Sequence, residues 1–212
     1  MIMEDKMLEV EKHVKRYWFS DGIGELAGGG LFLLLAAYFG IPQFLGENNF
    51  LSVILQSSLV LVLIGGIFGV RWLVTALKTR LTYPRTGYVE YRVDKKHAIR
   101  VRTFAMAFAM VMAFLMVLLA RSIQIVDSTV LVTGVVVGVV FVILCGKSYG
   151  VQRFYLLGAV SVILGAILSL GKLPNAYALA AFYGLMGLAV LISGGVVLFR
   201  YLRENPLPTE EQ

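Results

Sequence analysis

The chain has 212 residues, of which 58% are hydrophobic and only 15% charged. A soluble domain carries about 25% charged residues, so this chain lacks the polar surface that water demands. Its length allows one helical domain, and its one cysteine, Cys145, excludes an intramolecular disulfide and reads as a small buried hydrophobe.

Residues 1–21 mix Glu4, Asp5, Glu9 and Glu11 with Lys6, Lys12, Lys15 and Arg16. They lack the basic start and short apolar heart of a cleaved leader, so the first apolar run is expected to remain in the mature protein. Within this segment Met7, Val10, Val14 and Trp18 recur at helical spacing with charges between them. The pattern fits an amphipathic helix in the headgroup plane, or equally a frayed tail ending in an aromatic anchor.

Six apolar runs follow, near 24–45, 50–77, 103–120, 128–146, 154–171 and 176–199. A helix needs about 20 apolar residues to cross roughly 30 Å of hydrocarbon. The expected fold is all-α, a polytopic bundle of six transmembrane helices arranged as three hairpins. The hairpins occupy 22–78, 103–146 and 147–200, with a basic loop at 79–102 and a tail at 201–212. Connections on the far side, GENN at 46–49, SIQIVD at 122–127 and GKLPN at 171–175, leave no room for a domain there. Arginine–aromatic pairs at hairpin entrances and Pro84 and Pro206 at exits suggest a faint repeat, though every inner interface attracts such residues.

Orientation follows from the basic residues. With six spans, 16 of the 19 fall on one side and only Arg121 and Lys172 on the other, while Arg71 lies inside the second run. The positive-inside rule then places both termini and the 79–102 loop in the cytoplasm. A multi-pass protein of the plasma (inner) membrane is expected.

The stretch 78–102 carries eight basic residues against Glu90 and Asp94. Pro84 and Gly87 make TYPRTG a turn, and residues 88–102 read either as a β-hairpin or as an extension of the third helix. Arg80, Arg85, Arg92, Lys95, Lys96 and Arg100 are candidates for binding a partner or anionic headgroups, each basic residue near the surface contributing about 1 kcal/mol. Topology alone already demands this charge, which makes nucleic acid the weaker partner.

Small residues mark helix packing. Gly24 and Gly28 in the first run, and Gly134 and Gly138 in the fourth, have the four-residue spacing that lets helix backbones approach in lipid. Such glycines also occur in the broken helices of transporters.

Ionisable residues within spans are costly and mark function by default. Glu25 lies about one turn inside the first span, on the face of Asp21. Arg71, at a similar depth in the second, is its expected partner, either as a clamp or as a gate. Gln56, with Ser57 and Ser58, forms a polar cluster in the outer third of that span. His13 and His97 both fall in cytoplasmic segments. Haem-ligating histidine pairs, zinc clusters, HExxH, a catalytic base and a Walker A loop are all missing, so no cofactor, metal or enzymatic activity is expected.

TYPRTGYVEYR and YWFSDGIGELAGG at 17–29 resemble a pattern found in uncharacterised prokaryotic integral-membrane proteins. The likeness covers two short patches and implies no residue roles. Two function classes therefore stand. One is a non-catalytic membrane subunit or scaffold binding a membrane or cytoplasmic protein, or lipid, through the basic loop. The other is a small, homo-oligomeric transporter or channel for a small or lipid-like solute, with Glu25, Arg71 and Gln56 near its path.

Overall fold

In hydrocarbon every backbone N–H and C=O needs a partner within the protein, so apolar runs of this length fold as helices. A computed structural model of the protein describes residues 21–46, 49–86, 129–143, 151–171 and 173–206. Among these residues there are helices and turns but no strand. Helix α1 is Ile23–Leu45, α2 is Phe50–Ser57 and α3 is Leu59–Leu77, which runs on through a π-helical turn at Lys78–Thr82 into the short α4, Tyr83–Thr86. Helix α5 is Thr129–Val140, α6 is Arg153–Leu170 and α7 is Asn175–Glu204.

Four segments are long and apolar enough to cross a membrane: Ile23–Leu45, Leu61–Thr82, Arg153–Leu170 and Asn175–Glu204. The valine-rich Thr129–Ile143 is apolar but shorter. The expected amphipathic helix at 3–18, the alternatives for 88–102, the run at 103–120 and Cys145 lie outside the described residues.

Helices α1 and α7, from opposite ends of the sequence, form the central pair. They run antiparallel: Gly22 meets Gly194, Gly29 meets Leu191 and Gly187, and Gly40 meets Ala180. At the far end the Tyr177 hydroxyl donates to the Gln43 carbonyl at 3.4 Å. Helices α5 and α6 form an antiparallel hairpin that packs on one side of α7, and α3 packs on the other side of the bundle, against α1. Phe141, Phe154, Leu157, Met186 and Val190 form one buried cluster; Val130, Ala178 and Phe182 form another nearer the Gln43 end. Phe32 stacks on Phe141, and Phe141 on Phe154, at centroid distances of 6.2 and 6.1 Å.

The outer surface is apolar. Phe44, Phe50, Leu61, Trp72, Leu156, Leu170 and Phe199 are all exposed. Water would penalise such a surface heavily, whereas lipid tails accept it without cost, as a membrane protein requires.

Gly22 shows why sequence and packing agree at the entrance to α1. It precedes the helix with φ of 69°, and its carbonyl accepts from the backbone N–H of Glu25 and Leu26 at 3.1 Å each. A Cβ here would also overlap the Gly194 carbonyl. The Gly22→Ala protein is therefore expected to lose about 1–2 kcal/mol to left-handed strain and a further 1–3 kcal/mol, roughly, to overpacking. Unfolding in mixed detergent–SDS micelles, followed by helicity, measures it. A loss below about 0.5 kcal/mol, the range of an ordinary surface change, would contradict this account.

Candidate functional site: a buried ion-pair cluster

Two carboxylates one turn apart flank the start of α1, Asp21 just before it and Glu25 in its first turn, exposed by only 1% and 3%. An acidic group suits a helix amino-terminus, where the backbone N–H groups are unpaired. Asp21 Oδ1 accepts the Ile23 N–H at 3.2 Å in this way. A buried carboxylate also needs a cation, and the two acids find different ones.

Asp21 Oδ2 lies 3.1 Å from Lys78 Nζ and accepts the Thr82 hydroxyl at 3.2 Å. Both partners come from the π-helical turn, where one extra residue per turn sets Lys78 and Thr82 on the side facing α1. Glu25 Oε1 accepts Arg153 Nε at 2.6 Å and lies 2.5 Å from Arg153 Nη2. Glu25 Oε2 accepts the Ser193 hydroxyl at 2.7 Å. Close approach of α7 makes the last contact possible, because a side chain at Gly194 would fall 2.8 Å from Glu25 Cβ. The Arg153 guanidinium sits 5.7 Å from the centroid of the Phe154 ring, which gives its apolar face a partner.

Two acids, two bases and the Ser193 hydroxyl thus join the start of α1 to the end of α3, to α6 and to α7 at one end of the bundle. The charges cancel, and both Glu25 oxygens are engaged. One step further out, Arg85 Nη1 donates to the carbonyls of Asn205 at 2.7 Å and Leu202 at 3.3 Å. Those carbonyls belong to the end of α7 and lack helical partners of their own. Arg80, Arg200 and Arg203 are exposed around the same end.

The structure places the other sequence candidates as follows. Glu25 pairs with Arg153, not with Arg71, which is exposed on α3. Gln56 lies in α2. The neighbouring Ser57 and Ser58 hydroxyls donate back to the carbonyls of Val53 and Leu55, both at 2.9 Å, where the helix breaks between α2 and α3. The Ser52 hydroxyl is fully buried and lacks a hydrogen-bond partner. Arg92, Lys95, Lys96 and Arg100 lie outside the described residues. Gly134 and Gly138 face Gly165 and Gly158 of α6, while a side chain at Gly28 would meet nothing within 4 Å. Gly24 is half-buried. Among the described residues no group of three or more His, Cys, Asp or Glu could hold a metal ion.

Beside the cluster an open apolar groove of about 450 Å³ runs between α1 and α3. Gly30, Leu34, Val62, Gly65, Gly69 and Leu73 are among its walls.

Sequence reasoning missed Arg153, Ser193, Lys78 and Thr82 as partners. Lys78 and Arg153 were legible only as two more charges on the inner boundary. The chain matches no family model, no curated protein and no solved structure.

Proposed function

We propose that the protein is a six-span protein of the plasma (inner) membrane, both termini cytoplasmic, acting as a non-catalytic subunit or scaffold. It binds a protein partner or anionic lipid through the basic loop at 79–102. The root of that stretch supports the reading: Lys78 and Arg85 are spent inside the protein, on Asp21 and on the end of α7, whereas Arg80 between them is exposed. On this reading the basic positions not used internally, of which Arg80 is one, are those that meet a partner.

Native mass spectrometry of the full chain, extracted from its own membrane in mild detergent, tests this. The expected result is a stoichiometric second polypeptide or retained anionic lipid, lost when Arg92, Lys95, Lys96 and Arg100 are all changed to glutamate. Retention of the same species by the charge-reversed protein would refute it.

One observation favours the second reading, a small oligomeric transporter or channel. The Glu25–Arg153–Ser193 network ties α1, α6 and α7 together at one end of the bundle, a position that would suit a gate. Solute flux in liposomes that Glu25→Gln changes would support it; flux that the substitution leaves unchanged removes Glu25 from the transport step.

A further inference from the structure

The groove between α1 and α3 is apolar along its walls and carries a cation beyond its cytoplasmic end. Side chains added at Gly65 or Gly69 of α3, or at Gly30 across from them, would meet nothing within 4 Å. Only 6% of the segment Leu61–Thr82 is buried, against 28–33% for the other three spanning segments. No polar side chain lines the groove, and its volume of about 450 Å³ falls within the roughly 300–1,000 Å³ of ligand pockets. Such a slot suits hydrocarbon. It offers a sugar, a nucleotide or a peptide backbone no partner for its polar groups, which are costly to bury unpaired.

The cation is Arg80. An α-helix turns about 100° per residue, and the wider π-helical turn at Lys78–Thr82 about 80°. Counted from Leu73, Gly69 falls about 40° round the axis, Gly65 and Arg80 about 80° and Trp72 about 100°, all in one direction. Lys78 and Thr82 fall about 120° and 80° in the other direction, as their contacts with Asp21 require. Arg80 therefore continues the groove side of α3, roughly 10 Å along the axis beyond Leu73. It is exposed and makes no ion pair or hydrogen bond among the described residues. The three described acids are all engaged elsewhere, Asp21 by Lys78, Glu25 by Arg153 and Glu204 by Arg200.

We propose that this groove seats one acyl chain of an anionic phospholipid whose phosphate meets Arg80. The proposal rests on the reading that the 79–102 loop is cytoplasmic and meets anionic lipid, and it gives that lipid a site. The occupant matches the groove in both parts: an apolar chain against apolar walls, and a negative headgroup at the height of an unspent guanidinium. Trp72 is exposed on the same side, between Gly69 and Arg80 in height, where an indole suits the boundary of headgroup and tail. A second copy suits this face less well. Two copies in one orientation are related by an axis along the membrane normal, which would set Arg80 against Arg80 at one depth with every described acid already used.

Fluorescence quenching by brominated lipids tests the seat. In the full-length Trp18→Phe protein, Trp72 is the one tryptophan. The protein is reconstituted in vesicles of phosphatidylcholine and phosphatidylglycerol, with brominated acyl chains on one lipid or the other. Brominated phosphatidylglycerol is expected to quench Trp72 more strongly than brominated phosphatidylcholine at equal mole fraction. The excess is expected to be lost in Arg80→Gln, which removes the cation, and in Gly69→Leu, which fills the groove. Neither substitution removes a described contact, so both proteins should keep the parent's helicity. Equal quenching by the two lipids in the parent would overturn the proposal in favour of ordinary bilayer lipid. An excess that survives Gly69→Leu would leave the headgroup at the surface without a seated chain, and one that survives Arg80→Gln would assign the phosphate to another cation; either overturns it. Quenching by neither lipid would overturn it in favour of protein over the groove, a second copy included. The protein with Arg92, Lys95, Lys96 and Arg100 changed to glutamate separates the seat from the reading beneath it. If that protein keeps the Trp72 excess, the seat stands without the rest of the loop. If native mass spectrometry shows anionic lipid lost from that protein but kept by Arg80→Gln and Gly69→Leu, the loop reading stands and the seat fails.

Discussion

Replacing Arg153 with methionine should lower the unfolding free energy by about 3–5 kcal/mol, and adding Glu25→Gln in the same chain should recover most of that loss. Glu25 is 3% exposed, so its charge cannot be handed to solvent when its cation goes. Ser193 alone would remain, a neutral donor facing an uncompensated carboxylate. The Arg153 side chain is 26% exposed, which puts the expected figure toward the lower end. Removing both charges abolishes the unpaired state altogether, and a glutamine still accepts from Ser193. An internal control is available in Arg200–Glu204, an exposed pair on α7 with side chains 80% and 65% accessible. Arg200→Met should cost no more than about 1 kcal/mol, as exposed pairs do. SDS-driven unfolding in mixed micelles, followed by helicity, gives all four values. Equal losses from the Arg153 and Arg200 substitutions, or a double variant no better than the single one, would show that the pair does not fasten the bundle.

Depth was legible in the sequence, and direction was not. Apolar runs announce helices because hydrocarbon leaves the backbone no other way to pair its polar groups. Counting residues from the span ends also set Glu25 and Arg71 within about a turn of each other. Yet a helix turns about 100° per residue, and Arg71 falls opposite Val62, Gly66 and Leu73, the residues α3 turns toward α1 and the groove. The cation that reaches Glu25 comes instead from a residue 128 positions away in the chain. Nothing local in the run beginning Arg153-Phe154-Tyr155 distinguishes a charge turned inward from one that anchors a span at the interface. The π-helical turn was equally hidden. Its Lys78 and Thr82 both meet Asp21, a tertiary contact in a stretch that otherwise reads as a basic loop. Glycine spacing fared differently in different helices. Gly134 and Gly138 mark a face that carries a partner, but on α1 the close contacts with α7 fall to Gly22 and Gly29, one residue along from Gly28.

That last difference gives the second large effect. The Gly134→Leu protein should be destabilised at or beyond the upper end of the roughly 1–3 kcal/mol that overpacking costs, whereas Gly28→Leu should cost no more than about 0.5 kcal/mol. The two positions have the same sequence signature and opposite surroundings. A Cβ at Gly134 would lie 2.8 Å from both Gly165 Cα and the Ser161 carbonyl oxygen, backbone atoms that no rotamer change can move. Helices α5 and α6 would have to separate, and with them would go the Ser161 hydroxyl bond to the Gly134 carbonyl, now 2.8 Å long. In lipid that separation carries a particular penalty, because no hydrophobic force holds two helices together once their close contact is gone. At Gly28 an added Cβ meets no described atom within 4 Å, and leucine replaces a poor helix former with a good one, a change worth up to about 1 kcal/mol in the favourable direction. Measured under the same micelle conditions, losses of similar size at the two positions would mean that the α5–α6 contact is looser than its geometry states. A large loss at Gly28 alone would place a partner against that face of α1.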